Sequence, residues 1–136
     1  MAAVESGRLD LPLPGSGRTW ERFAAFADLA EENLSLARLG EGHAEPGRAG
    51  RARRRSRAAA GGVWAANPPG PNVTASDHGG RWVLRGTKQY CSGARVCTHA
   101  LVTAATGDEA RLFAVAAADL EPHEGTWPAT GCSSAR

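Results

Sequence analysis

From Thr19 to Ala37 the apolar residues return at steps of three and four: Phe23, Phe26, Ala27, Ala30, Leu34 and Ala37. That spacing places them on one face of a helix. Thr19 is of the type that caps a helix start, Glu21 puts a negative charge in the first turn, and Arg38 with Gly40 supplies a last-turn cation and a C-cap. A helix is predicted over about 19–39. Past Val63 the period shortens. Val63–Ala66, Val73–Ser76, Trp82–Leu84, Lys88–Ser92, His99–Ala105 and Arg111–Ala117 read as short strands, and His123–Trp127 as a last one. Asn67-Pro68-Pro69-Gly70-Pro71 ends the first of them, because proline cannot continue a ladder. Asp77-His78-Gly79-Gly80 and Thr106-Gly107-Asp108-Glu109 read as tight turns. The predicted fold class is α+β: one N-terminal amphipathic helix followed by an antiparallel β-barrel or sandwich of about six or seven short strands.

Two stretches carry neither period. Residues 1–17 gather Pro12, Pro14, Gly15 and Gly17 and read as a loose arm. Residues 44–62 have only alanine to bury and hold six arginines against Glu45, a local charge of +5. The whole chain carries +2, so everything outside this stretch sums to −3. The basic character is confined to one short segment and forms no surface that could track a phosphate backbone. Neither nucleic acid nor a membrane is expected as a partner. The segment reads as a solvated linker. Fifteen arginines against a single lysine also suggest a GC-rich gene, and a frame-shifted stretch in such a gene would give the same Ala/Gly/Arg/Pro-rich composition.

At 136 residues the chain is long enough for one small domain and an appendage. No apolar run approaches the ~18 residues of a membrane span. The N-terminus lacks a charged start followed by an apolar core, so the cytoplasm is the expected compartment. Three cysteines, an odd number, argue against a disulfide framework. Cys91, Cys97 and His99 match no common zinc spacing, and no metal is expected. Asn72-Val73-Thr74 spells a glycosylation acceptor that has meaning only on a secretory route.

The candidate chemistry lies in one run, Gly86-Thr87-Lys88-Gln89-Tyr90-Cys91-Ser92-Gly93-Ala94. On a strand, Lys88, Tyr90 and Ser92 would share one face and Gln89 and Cys91 the other. A ring and a hydroxyl two residues apart, beside a Gly-Ala turn that admits a close approach, would make a platform for a flat polar ligand. The same spacing also suits a surface tyrosine next to a turn-forming serine. No Ser-His-Asp set or phosphate-cradling glycine loop is present.

That run, followed by the apolar strand His99–Ala105 and by Arg111-Leu112-Phe113-Ala114-Val115, resembles the middle β-domain of the acyl-CoA dehydrogenase family of flavoproteins. There a Gly-x-Lys-x-aromatic-x-Ser/Thr run leads into a Ser-Gly-Ala or Asn-Gly turn. The resemblance extends over about 63–131, is weaker over 19–43, and is absent over 44–61. It implies a division into an arm and helix remnant (1–43), a linker (44–62), a β-domain (63–131) and a divergent tail (132–136). It implies that Tyr90 packs on a flavin and that Ser92 lies near the N5 edge. It also implies that Trp64, Ala65 and Ala66 lie on the strand whose backbone reaches the ring. Ala66-Asn67-Pro68 stands where the family has Thr-Glu-Pro, and Pro69-Gly70-Pro71-Asn72 where it has Gly-x-Gly-Ser-Asp. Two hydrogen-bonding side chains are thereby lost. The implied cofactor is FAD held weakly, or FMN in its place.

The activity this resemblance implies is α,β-dehydrogenation of an acyl-CoA thioester, in an oligomeric enzyme. A carboxylate takes the α proton there, from a C-terminal helical bundle that has no counterpart in this chain. No catalytic residue is therefore assigned; Glu121 and Glu124 read as solvated, and His78 and His99 as structural or exposed. The chain reads as a fragment of such an oxidoreductase, inactive by itself. A flavin-dependent monooxygenase of the same fold would look alike over this length. The alternative from a different class is a non-catalytic β-domain acting as an interaction module through its exposed helix stripe.

Overall fold

The computed structural model of the chain describes residues 5–44, 61–70 and 72–123. Two helices come first, α1 over Thr19–Glu32 and α2 over Leu34–Ala44. The single helix expected over 19–39 is broken at Asn33, whose backbone is extended (φ −162°, ψ 111°). Asn33 serves both ends of the break. Its N–H donates to the Leu29 carbonyl at 2.9 Å, and its Oδ1 accepts the Leu36 N–H at 3.0 Å. A short amide side chain competes with the helix backbone in this way, which makes it a good N-cap and a poor interior residue.

The expected ends move as well. Thr19 is the first residue inside α1, Arg18 precedes it without a side-chain cap, and the Arg18 guanidinium pairs with Glu21 instead. Gly40 does not stop α2, which runs on to Ala44. Gly40 lies buried against the Leu9 side chain, a contact that offsets the ~1 kcal/mol a helical glycine costs.

Leu9 also corrects the reading of the arm. It is 3% exposed and packs with Leu29 and Ala37, with Phe26, Ala30 and Leu36 around them. Arg8 pairs with Glu32 at 2.5 Å, a hydrogen bond that holds the Glu32 carboxyl below its ordinary range. Arg22, 7% exposed, donates to the carbonyls of Pro12 (3.0 Å) and Ala44 (3.4 Å) and lies over the Phe26 ring. Docking of the arm selects which stripe is buried. It is Arg22 and Leu29, with Phe26 half-buried beside them, whereas Phe23 and Leu34, expected inside, are 60% and 74% exposed.

Five strands follow: β1 (Gly61–Trp64), β2 (Thr74–His78), β3 (Arg81–Arg85), β4 (His99–Thr106) and β5 (Glu109–Ala116). They form a mixed sheet, not the closed antiparallel barrel or sandwich expected. β5 pairs antiparallel with the whole of β4 on one edge. On the opposite edge β1 pairs parallel with His99–Val102, and β2 pairs parallel at Ala105. β3 closes the outside as a hairpin partner of β2 through Gly79–Gly80, where the Gly80 N–H donates to Asp77 Oδ1 at 2.7 Å. The proline-bearing segment after Ala66 thus returns the chain to the same edge in the same direction, which no up-and-down barrel does.

β4 alternates, with Ala100, Val102 and Ala104 buried. They anchor two clusters on one face of the sheet. Trp64 packs at the first, and Val73 and Ala75 at the second with Trp82, Leu84 and Phe113. The α2 end meets β1, where the Gly61 N–H donates to His43 Nδ1 at 3.1 Å. Among the described helices none is long and apolar enough to cross a membrane. The expected strand over 123–127, the interior of the 44–62 segment and the 132–136 tail fall at or beyond the limits of the described residues.

Candidate functional site

β1 ends at Trp64, whose ring is buried against Ala100 and Val102 with Cys91, Ala94 and Cys97 beside it. Its indole Nε1–H donates to the Ser92 carbonyl at 3.1 Å. A buried tryptophan needs such a partner, and here the partner is the segment expected to hold the ligand. Trp64 is therefore an anchor between the strand end and that segment. Ala65 and Ala66 follow it, both exposed, where the chain leaves the ladder.

The segment 86–97 is not the strand its alternation predicts. Gly86 enters it at φ 121° and Tyr90 turns left-handed at φ 58°. The Ser92 N–H donates to the Tyr90 carbonyl at 3.1 Å, and the Ala94 N–H to the Cys91 carbonyl at 3.1 Å. Val96 and Cys97 then both donate to the Gly93 carbonyl at 2.9 Å. Cys91 Sγ donates to the Lys88 carbonyl at 3.3 Å. These local bonds satisfy the backbone without a sheet partner, so the shared strand face expected for Lys88, Tyr90 and Ser92 does not exist. Tyr90 is 54% exposed and Ser92 half-buried. The space at Gly93 is filled from inside: a Cβ there would lie 2.7 Å from Leu39 Cδ2 of α2. It serves helix packing rather than ligand approach.

A second tie crosses the same two segments. The Lys88 ammonium donates to Asn67 Oδ1 at 2.6 Å, to Thr103 Oγ1 at 2.7 Å and to the Thr103 carbonyl at 3.0 Å. The Thr103 hydroxyl lies 3.2 Å from Asn67 Oδ1 and 3.3 Å from the Ala65 carbonyl, two acceptors that share its one proton. Thr103 occupies the gap in β4 between the end of β1 pairing at Val102 and the start of β2 pairing at Ala105. Partial burial lowers the Lys88 pKa from the ordinary lysine value, with Cys91 acting in the opposite sense. Residues 64–67 and 88–92 are thus laced together at both ends, Trp64 to Ser92 and Asn67 to Lys88. All five sequence-derived candidates, Trp64, Ala65, Ala66, Tyr90 and Ser92, fall within or beside this lacing. Sequence reasoning missed Lys88, Asn67 and Thr103 as a set. The one available signal was that Lys88 is the chain's only lysine.

The remaining candidates lie elsewhere. His78 is exposed at the end of β2, and His99 is half-buried with Nδ1 3.1 Å from the Thr98 hydroxyl. Glu121 is exposed after the last described helical turn, and Glu124 lies outside the described residues. Among the described residues no group of three or more His, Cys, Asp or Glu is placed to hold a metal ion. Asn72 turns its amide Nδ2 to the Pro68 carbonyl at 3.1 Å, with its Oδ1 buried. Chemically, the two segments offer an exposed tyrosine, two exposed alanines and one cation. No protein family of known description matches this chain, and neither a curated protein nor a solved structure was found to be similar to it.

Proposed function

We propose that this chain carries the flavin-contacting β-domain of an acyl-CoA dehydrogenase-like oxidoreductase, with FAD or FMN bound weakly against the 64–67 and 88–92 segments. The single observation behind the reading is the lacing of those two segments. It ties the segment that carries the exposed Tyr90 to the segment that carries the exposed Ala65 and Ala66, far apart in sequence. The ring of Tyr90 offers a flat apolar partner for an isoalloxazine face. Backbone N–H groups at Ala65 and Ala66 offer donors for a ring edge that gains negative charge on reduction. When bound, the flavin supplies hydride acceptance. The chain's own residues hold and orient it: Trp64, buried, fixes the strand end, and Ser92 takes part through the same hydrogen bond. The Thr-Glu-Pro hydroxyl of the resembled family has no counterpart at Ala66, and each missing hydrogen bond weakens binding by ~1–3 kcal/mol where its partner stays buried.

Purified protein titrated with FAD and FMN tests this. Quenching and a red-edge shift of the flavin band, abolished by Tyr90→Ala, support the reading; no uptake at millimolar flavin removes it. A second reading is favoured by Trp20, Phe23 and Leu34, which are 81%, 60% and 74% exposed. In that reading the chain is a non-catalytic interaction module that docks through α1 and the start of α2. A colourless protein whose Trp20→Ser/Phe23→Ser form loses self- or partner-association would favour it.

A further inference from the structure

The break in the β4 edge is the least expected feature of the sheet. Two successive strands, β1 and β2, line the same edge of β4 and leave a gap at Thr103 and Ala104. On this edge the Thr103 backbone has no partner among the described strands, although Thr103 pairs with Leu112 of β5 on the other. A carbonyl left in such a gap needs a donor. The only lysine in the chain supplies it. The acceptors that surround Lys88, Asn67 Oδ1 and the carbonyl and hydroxyl oxygens of Thr103, are all uncharged, and they take the three protons of the ammonium at 2.6–3.0 Å. The hydroxyl that accepts from Lys88 turns its own proton to the 65–67 segment, where Asn67 Oδ1 (3.2 Å) and the Ala65 carbonyl (3.3 Å) are both within reach. A chain of bonds therefore runs from the 86–97 segment, through β4, to the backbone that carries Ala65 and Ala66.

We propose that Lys88 is a positioning residue for the candidate flavin site, holding the Ala65–Asn67 backbone in place by bridging the gap in β4 through Thr103 and Asn67. Its meaning for flavin binding rests on the reading given above, but the positioning itself is a property of the protein without ligand. Three convergent neutral acceptors suit a compact ammonium with three rotatable donors and do not suit a planar guanidinium. The chain uses arginine at every other basic position, so this is the one place where the point-like cation stands. An ammonium with hydrogen bonds to three acceptors on two separate segments is a bridging group and not a free solvated tail.

The test is backbone 15N relaxation on the flavin-free protein, with FAD titration beside it, for wild type, Lys88→Met, the milder, exposed-site Asn67→Ala and the double variant that combines them. In wild type the Ala65–Asn67 amides should have order parameters near the ~0.85 of rigid backbone. Lys88→Met should drop these toward ~0.6 while Leu101 and Phe113, in the β4–β5 ladder, stay unchanged. Asn67→Ala should give a smaller drop at the same residues. Lys88→Met should weaken FAD by about tenfold, and the double variant should be no weaker than Lys88→Met alone, because both act through one node. Unchanged order parameters at Ala65–Asn67 in both variants, or an equal loss throughout the β4–β5 ladder, would overturn the proposal. If the local loss occurs but wild type takes up no flavin, the positioning stands and the flavin reading falls. If Lys88→Met does not fold, Asn67→Ala decides alone.

Discussion

Gly86 sits at φ 121°, and a Cβ built there would lie 2.5 Å from the Asn72 carbonyl oxygen, a backbone atom that cannot swing away. Strain of this kind costs ~1–3 kcal/mol before the clash is added. Gly86→Ala should therefore lower unfolding free energy by at least ~2 kcal/mol in urea titration; a variant as stable as wild type would mean the 86–97 segment leaves β3 by another path. Cys91 makes a different residue-scale prediction. Burial pushes its thiol up from 9.0 to about 11, opposed by Lys88 and aided by Cys97. Below pH 9 folded and unfolded chains both carry the thiol, so its stability contribution is intact. Between 9 and about 11 the unfolded chain ionises first, and stability is lost as the pH rises through the folded value. The urea midpoint of wild type should fall more between pH 8.5 and 11 than that of Cys91→Ala, and parallel curves would refute this.

At the scale of elements, Asn33 decides whether there is one helix or two. Replacing it by alanine removes the α2 cap and inserts a strong helix former at the break. Loss of the cap costs ~1 kcal/mol, and fusion of α1 and α2 would require Leu9 to give up Ala37. Asn33→Ala should thus be destabilising by thermal melting, although it raises intrinsic helix propensity. A higher melting temperature would show that the break is not held by the arm. The periodicity over 19–37 announced a helical region and missed the break. The side chain responsible is one residue, and its choice between interior and cap depends on what lies across from it. The hairpin at Gly79–Gly80 and the β4–β5 pair were legible because turn chemistry and alternation agree there. The Lys88–Ser92 alternation misled because local bonds from Cys91 and the left-handed Tyr90 satisfy the backbone without a neighbouring strand.

For the molecule as a whole, half of the buried apolar residues among those described are alanines. Each large buried side chain therefore carries an unusual share of the stability. Leu9 is the clearest case, because it lies far in sequence from the helices it joins. Leu9→Ala should cost ~2–4 kcal/mol by chemical denaturation, against nearly nothing for a loose arm. The candidate site was legible only as a set of residue types in order. Its assembly needed the Trp64–Ser92 and Lys88–Asn67 bonds, both between segments more than twenty residues apart.

The sequence by itself determined where helix gives way to strand, where the tight turns fall, and which residues could furnish a ring and a cation, because these follow from spacing and from local backbone preference. Tertiary structure alone decided which helix stripe is buried, that β1 and β2 run along one edge of β4 instead of closing a barrel, and that Lys88 fills the gap between them. Those outcomes depend on which distant groups compete for the same surface and the same hydrogen-bonding partners, and no local pattern encodes that competition.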